Sequence, residues 1–301
     1  MLYFCNSIGH AGREIRRILQ PYDSPPSSTG SRAASAAETA LALAKEQAMA
    51  QVREPLVSII MPAYNAARFI RQSIQSILQQ SFQDWELLVT DDASTDNTPQ
   101  VLEQAARDDA RIRIFLQTQN QGPGAARNHS LSHARGRYLA FLDSDDLWLP
   151  HKLEQQLPFM QKQQAAFTFA SYALMNQEGQ DLHKTIQAPA SITYRQYLRN
   201  TIIGCLTVMI DREKTGPVVM PDMRTSQDMA TWLDILKTGI TAYGMPEVLA
   251  KYRIVDGSNT SSKWKSAQDV WKVYRQHESL SWPASCFNFA GYCFNAIKKR
   301  L

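Results

Sequence analysis

The sequence predicts an α/β fold with a mostly parallel central sheet flanked by helices. Two observations predict it. From residue 56 onward, short β-branched apolar runs alternate with amphipathic stretches, which is the rhythm of β-α-β units. Polar clusters stand at the ends of those runs, and ligands of parallel sheets bind beyond the carboxyl ends of the strands.

The elements follow in order. Residues 1–54 read as an N-terminal extension. Within it, residues 21–35 are rich in Pro, Ser, Thr and Gly, a linker composition, and an Ala-rich helical stretch over 38–51 leads to Pro55. Residues 56–61 form a run of the kind buried on both sheet faces, ending at Pro62. A helix follows, with Phe69, Ile70, Ser73, Ile74, Ile77 and Leu78 on one face. Further strands are predicted over 85–90, 111–117 and 137–142, separated by helical stretches.

Composition bounds little. The 301 residues can bury a large core, and a net charge of +4 with pI near 8.8 points to no particular partner; no nucleic-acid partner is expected. Four scattered cysteines with no Cys-x-x-Cys pair fit a reducing compartment. His129 and His133 have the spacing of two metal ligands without a third nearby, and read as surface helix residues. No apolar run approaches the ~20 residues that cross a bilayer. Arg13, Arg16 and Arg17 follow a short apolar start, the reverse of a secretory signal, so a cytoplasmic protein is expected.

The sharpest chemistry lies in Phe141-Leu142-Asp143-Ser144-Asp145-Asp146, an apolar strand running into three carboxylates. In extended chain Asp143 and Asp145 point to one side while Ser144 turns away. Like charges this close call for a cation, and hard oxygen ligands suit Mg²⁺ or Mn²⁺. Asp146 reads as the cap of a following helix that carries Pro150 in its first turn. Asp91 and Asp92 end another strand before the turn Ala93-Ser94-Thr95-Asp96-Asn97; they are either turn chemistry or acceptors for a base N–H. Asn120-Gln121-Gly122-Pro123-Gly124-Ala125-Ala126-Arg127-Asn128 brings two glycines and a cation to a helix start, which favours an anion and is not a Walker loop.

Together, in this order, these clusters resemble family 2 glycosyltransferases over roughly residues 55–260. The resemblance implies a GT-A fold, which is Rossmann-like, with the glycosyltransferase domain at 55–265 and a helical tail at 266–301. It implies a nucleoside-diphosphate sugar donor, most simply UDP-linked, and Mn²⁺ or Mg²⁺ on Asp143 and Asp145. Pro62-Ala63-Tyr64-Asn65 is similar to the opening nucleotide motif, with Tyr64 stacked on the base. Asp91-Asp92-Ala93-Ser94 resembles Asp-Asp-Gly-Ser, with Asp92 on the base and Ala93 in place of glycine. Gly122, Arg127, Asp143 and Ser144 complete the donor contacts that the resemblance implies. Ser226-Gln227-Asp228 resembles the Glu-Asp catalytic motif, with Gln227 in place of Glu and Asp228 as general base of an inverting transfer. Read alone, Asp228 is a first-turn aspartate stabilised by the helix dipole. No Gln-x-x-Arg-Trp motif follows, which argues against a processive synthase.

Arg253 and Lys263 flank a polar, glycine-containing stretch and are candidate diphosphate contacts, against a solvated loop. The tail carries Phe287, Phe289, Tyr292 and Phe294 before Lys298-Lys299-Arg300; it reads either as a helix packed on the catalytic domain or as a peripheral contact with the inner membrane face. The acceptor implied by the family is a glycan or lipid-linked oligosaccharide of a surface polymer. The rival readings are a sugar-1-phosphate nucleotidyltransferase, which would carry a Gly-rich, basic loop after the first strand, and a non-catalytic nucleotide-sugar-binding protein, against which the aspartates speak.

Overall fold

Strand β1, Val57–Ala63, is buried along its whole length, as its uninterrupted apolar run requires. It pairs in parallel with β2, Trp85–Asp91, and with β4, Tyr138–Phe141; β3, Ile112–Leu116, adds in parallel to β2. The computed structural model describes residues 54–255 and 263–298. The chain divides into the units Met1–Arg53 and Glu54–Leu301, and the linker and helix expected in the first lie outside the described residues.

The strand order is β3-β2-β1-β4, then β9 (Met209–Asp211), β6 (Phe167–Met175), β10 (Ala242–Arg253) and β5 (Leu147–Trp148). The expected parallel block is its first half. Its second half pairs β6, Phe167–Met175, in parallel with β10, Ala242–Arg253. Between the two blocks β9, Met209–Asp211, runs antiparallel to both β4 and β6. Short strands β5 (Leu147–Trp148) and β8 (Ser191–Ile192), together with β7 (Asp181–Ile186), add antiparallel to β10 and β6.

Alternation along β1 feeds two cores, one on each sheet face. Ile59 and Met61 pack with Ile70, Ile74 and Ile77 of the helix Ile70–Leu78. Ile60 faces the other cluster, with Phe141, Phe167 and Trp232. The Trp232 ring lies 5.3 Å from both the Phe141 and the Phe167 rings. That packing sets the helix Gln227–Lys237 against Phe141, the last residue of β4.

Away from the strands' carboxyl ends, Glu86 is buried in β2 and accepts from the Ser58 hydroxyl, the Arg135 backbone N–H and the Arg113 and Arg135 guanidinium groups. These bonds hold its carboxyl below the usual range although burial pushes it up.

The tail begins inside the main core. Val270, Val273 and Tyr274 belong to the Trp232 cluster, so residue 266 is not a structural break. The helix Trp282–Lys298 then packs on Arg199, whose Nε donates to Asn288 and whose carbonyl accepts from Asn295. Among the described residues no helix is long and apolar enough to cross a membrane.

Candidate active site

The turns after β1, β2 and β4 and the starts of two helices meet at one end of the sheet. Asp91 closes the turn after β2, accepting from the Ser94 N–H at 2.9 Å and from the Ser94 hydroxyl. Asn65 ties the β1 motif to that turn: its N–H donates to the Ser94 hydroxyl, and its side-chain oxygen accepts from the Thr95 N–H, both at 2.8 Å. Tyr64 leaves the end of β1 with its side chain 49% exposed. Pro62, by contrast, is interior to β1.

Asp92 is buried, and its two oxygens accept the backbone N–H groups of Gln121 (2.8 Å) and Gly122 (2.7 Å), while its carbonyl accepts from Asn120. It therefore shapes the loop before the helix Pro123–Ser132. The backbone there needs Gly122, whose φ is +94°. A Cβ at Gly124 would sit 3.3 Å from the Gln227 side chain, so the two helix starts are in contact.

Arg127, on that helix, is buried and donates through Nη2 to the Asp143 carboxylate. Its Nε and Nη1 are buried without a protein partner among the described residues. Burial opposes its charge, yet Asp143 and Asp228 nearby raise its pKa. Asp228, in the first turn of Gln227–Lys237, is pushed above the usual carboxylate range by burial, with Arg127 opposing and the Asp143 charge adding to it. Asp145 is pushed up to about 6, first by burial and then by the Asp143 charge beside it. Asp143, Asp145, Arg127 and Asp228 thus form one electrostatic group. The local backbone at Ser226 is left-handed, with φ 58°, at the residue before the Gln227–Asp228 pair.

Three expectations are corrected here. The strand ends at Phe141, and residues 143–146 make a turn closed by the Asp146 N–H on the Asp143 carbonyl, so extended-chain alternation is not what brings Asp143 and Asp145 together. Within that turn Ser144 bonds through its carbonyl to the Ser73 hydroxyl. Asp146 caps no helix: the next one starts at Lys152, and the buried Asp146 carboxylate accepts the Arg253 N–H at 2.8 Å. Arg253 does not offer its guanidinium to a diphosphate. It is 2% exposed, and its three nitrogens donate to the Asp145 carbonyl, the Gln177 carbonyl and the Gln72 side chain. Lys263 opens the helix Lys263–Lys272, but its side chain, like Gly257-Ser258-Asn259, lies outside the described residues.

Sequence reasoning missed Gln72 and Gln177, whose bonds to Arg253 carry no motif. It also missed the buried Gln227 oxygen, which has no protein partner among the described residues.

A mixed sheet with carboxylates and an arginine at the strands' carboxyl ends is the build of GT-A glycosyltransferases. Two solved structures share the fold. Staphylococcus aureus TarS in complex with UDP-GlcNAc matches with TM-score 0.63 and 20% identity, over 79% of this chain and 71% of that one. The mannosyltransferase PcManGT of Pyrobaculum calidifontis, in complex with GDP-Man and Mn²⁺, matches with TM-score 0.60 and 18% identity, over 97% of this chain and 78% of its own. The sequence profile of glycosyl transferase family 2 matches residues 58–216. The teichuronic acid biosynthesis glycosyltransferase TuaG of Bacillus subtilis is 52% identical over 248 residues, 82% of this chain and 98% of TuaG. WfgD of Escherichia coli, a UDP-Glc:α-D-GlcNAc-diphosphoundecaprenol β-1,3-glucosyltransferase, is 42% identical over 72% of this chain and 85% of its own length. The chain belongs to glycosyl transferase family 2.

Proposed function

We propose that this protein is an inverting, metal-dependent glycosyltransferase that moves a sugar from a UDP-linked donor to a lipid-linked oligosaccharide in surface polysaccharide biosynthesis. The observation that carries the reading is Arg127: a buried guanidinium bonded to Asp143 and under the charge of Asp228, with two nitrogens that have no partner among the described residues, calls for an anion, and a diphosphate supplies one. The likeness to TuaG over nearly its whole length supports the pathway, and the activity printed for WfgD supports a UDP donor and a diphosphate-lipid acceptor. The reaction then lies in the cytoplasm, at the membrane's inner face.

Asp143 and Asp145 fit a divalent cation by their chemistry: two hard carboxylates crowd one another, and the charge of one already raises the pKa of the other. Mn²⁺ or Mg²⁺ held there would offset charge on the leaving diphosphate. Arg127 binds the same diphosphate from the protein side. Asp228 accepts the proton of the acceptor hydroxyl as that oxygen attacks the anomeric carbon from the face opposite the diphosphate. A carboxylate raised by burial is better matched to that task than a solvated one. Tyr64 offers a face for the uracil ring, while Asp92 and Gly122 set the loop beside it. Each Asp92 oxygen already takes one backbone N–H and keeps a lone pair for a base N–H.

Thermal shift with UDP tests the reading: stabilisation is expected with Mn²⁺ or Mg²⁺ and is lost in excess chelator. Equal stabilisation in chelator would remove the metal from the account.

A further inference from the structure

The helix Trp282–Lys298 packs inward through a mixed face: Ser285 and Asn288 are buried, Asn288 and Asn295 hydrogen-bond to Arg199, and Phe289 and Tyr292 pack against the main core. Among its described side chains, the exposed positions carry only apolar ones: Trp282, Pro283, Cys286, Phe287, Ala290 and Phe294. At 100° per residue these six fall within one continuous stripe. The three aromatic rings are 64%, 62% and 70% exposed for Trp282, Phe287 and Phe294. On the preceding helix Trp264 is exposed as well, at 76%. Water does not select such a face, and contiguous exposed aromatic surface marks an interaction site.

Charge identifies the occupant. From Ser279 to Leu301 the sequence contains no acidic residue, and Phe294 is followed in the sequence by Lys298, Lys299 and Arg300. Cations also border the rings themselves: the Arg199 guanidinium lies 4.4 Å from the Phe287 ring centre, and that of Arg275 4.8 Å from the Trp282 ring centre. Aromatic rings rimmed by cations on a helix too short to span suit the headgroup region of an anionic bilayer.

We infer that this protein seats the aromatic face of Trp282–Lys298 on an anionic lipid surface. The inference deepens the reading of a lipid-linked acceptor, which would reside in that same surface, but it does not depend on which sugar is moved. The six residues of the stripe lie apart from the aspartate site in sequence and take no part in its hydrogen bonds.

The test is co-sedimentation of the full chain, without nucleotide or acceptor, with vesicles of phosphatidylglycerol and phosphatidylcholine, and with vesicles of phosphatidylcholine alone. Binding to the anionic vesicles is expected to exceed binding to neutral ones and to weaken in high salt. The variant Phe287→Ser/Phe294→Ser is expected to bind the anionic vesicles at least about tenfold more weakly, with its melting temperature and metal-dependent UDP binding unchanged. Should that variant melt early, Phe294→Ser alone gives the same comparison with a smaller drop. Absent vesicle binding, binding indifferent to lipid charge, or variants that bind like the wild type would overturn the inference. So would a concentration-dependent dimer that the same substitutions dissolve, because a second copy would then cover the face. UDP binding that persists while vesicle binding fails would reject the lipid contact and leave the transferase reading intact.

Discussion

Arg253, the last residue of β10, donates through Nε to the Asp145 carbonyl at 2.7 Å, and its backbone N–H reaches the Asp146 carboxylate at 2.8 Å. One residue therefore holds the turn that carries Asp143 and Asp145 from two sides, while its own fork is anchored by Gln72 and Gln177. Arg253→Lys keeps the charge and loses the fork. Mn²⁺ titrated in the presence of UDP is expected to bind about tenfold more weakly in that variant, as for other residues that orient metal ligands. Unchanged Mn²⁺ affinity would make Arg253 a packing residue only.

Asp143 also neutralises a buried cation. Asp143→Ala is expected to abolish metal-dependent UDP binding and to lower stability by about 1–3 kcal/mol in the absence of ligand, because the Arg127 guanidinium loses its one hydrogen-bond partner among the described residues. Urea unfolding of the metal-free protein measures this. Asp145→Ala, which removes no partner of Arg127, is expected to lose UDP binding with little change in the unfolding midpoint. Equal stability of Asp143→Ala and wild type would contradict the Arg127 pairing.

Ala93 occupies a left-handed backbone position, with φ 60°, where the related motif has glycine. Ala93→Gly is expected to stabilise the protein by up to about 1 kcal/mol, the left-handed strain of alanine being partly offset by the greater chain entropy of glycine. A lower melting temperature for Ala93→Gly would contradict the strain argument.

Glu86 has a pKa below its ordinary 4.5 in the folded chain. Its contribution is therefore complete above about pH 4.5 and is lost as the pH falls below that value. Glu86→Gln is expected to cost about 2 kcal/mol at neutral pH and to flatten the acid limb of a stability-against-pH curve. An acid limb identical to that of the wild type would place the titration elsewhere.

The four parallel strands were legible because each is an apolar run with a turn or helix signal on either side. β9 was not, since three residues, Met209–Asp211, carry no periodicity, and its antiparallel insertion between β4 and β6 is a tertiary outcome. In the site, residue types and their order single out Asp92, Asp143, Asp145 and Asp228, but not what each already binds. The sequence does not show that Asp92 accepts the Gln121 and Gly122 amides, or that Arg253 is engaged by the turn at residues 143–146, since both facts depend on backbone groups distant in the chain. Which aromatic residues of Trp282–Lys298 pack inward was likewise hidden: the sequence left a packed helix and a membrane contact both open, and the fold turns Phe289 and Tyr292 to the core and leaves Trp282, Phe287 and Phe294 exposed.

The central claim is that Asp228 takes the acceptor proton while the diphosphate is held by other groups. Asp228→Asn is nearly isosteric and accepts no proton, so kcat for sugar transfer is expected to fall by about 10²–10⁴, while the Kd for UDP with Mn²⁺ changes by less than about threefold. The measurement is the pair, kcat and Kd, on wild type and variant side by side. Near-normal kcat in Asp228→Asn would contradict the account, as would a loss of UDP affinity as large as the loss of turnover.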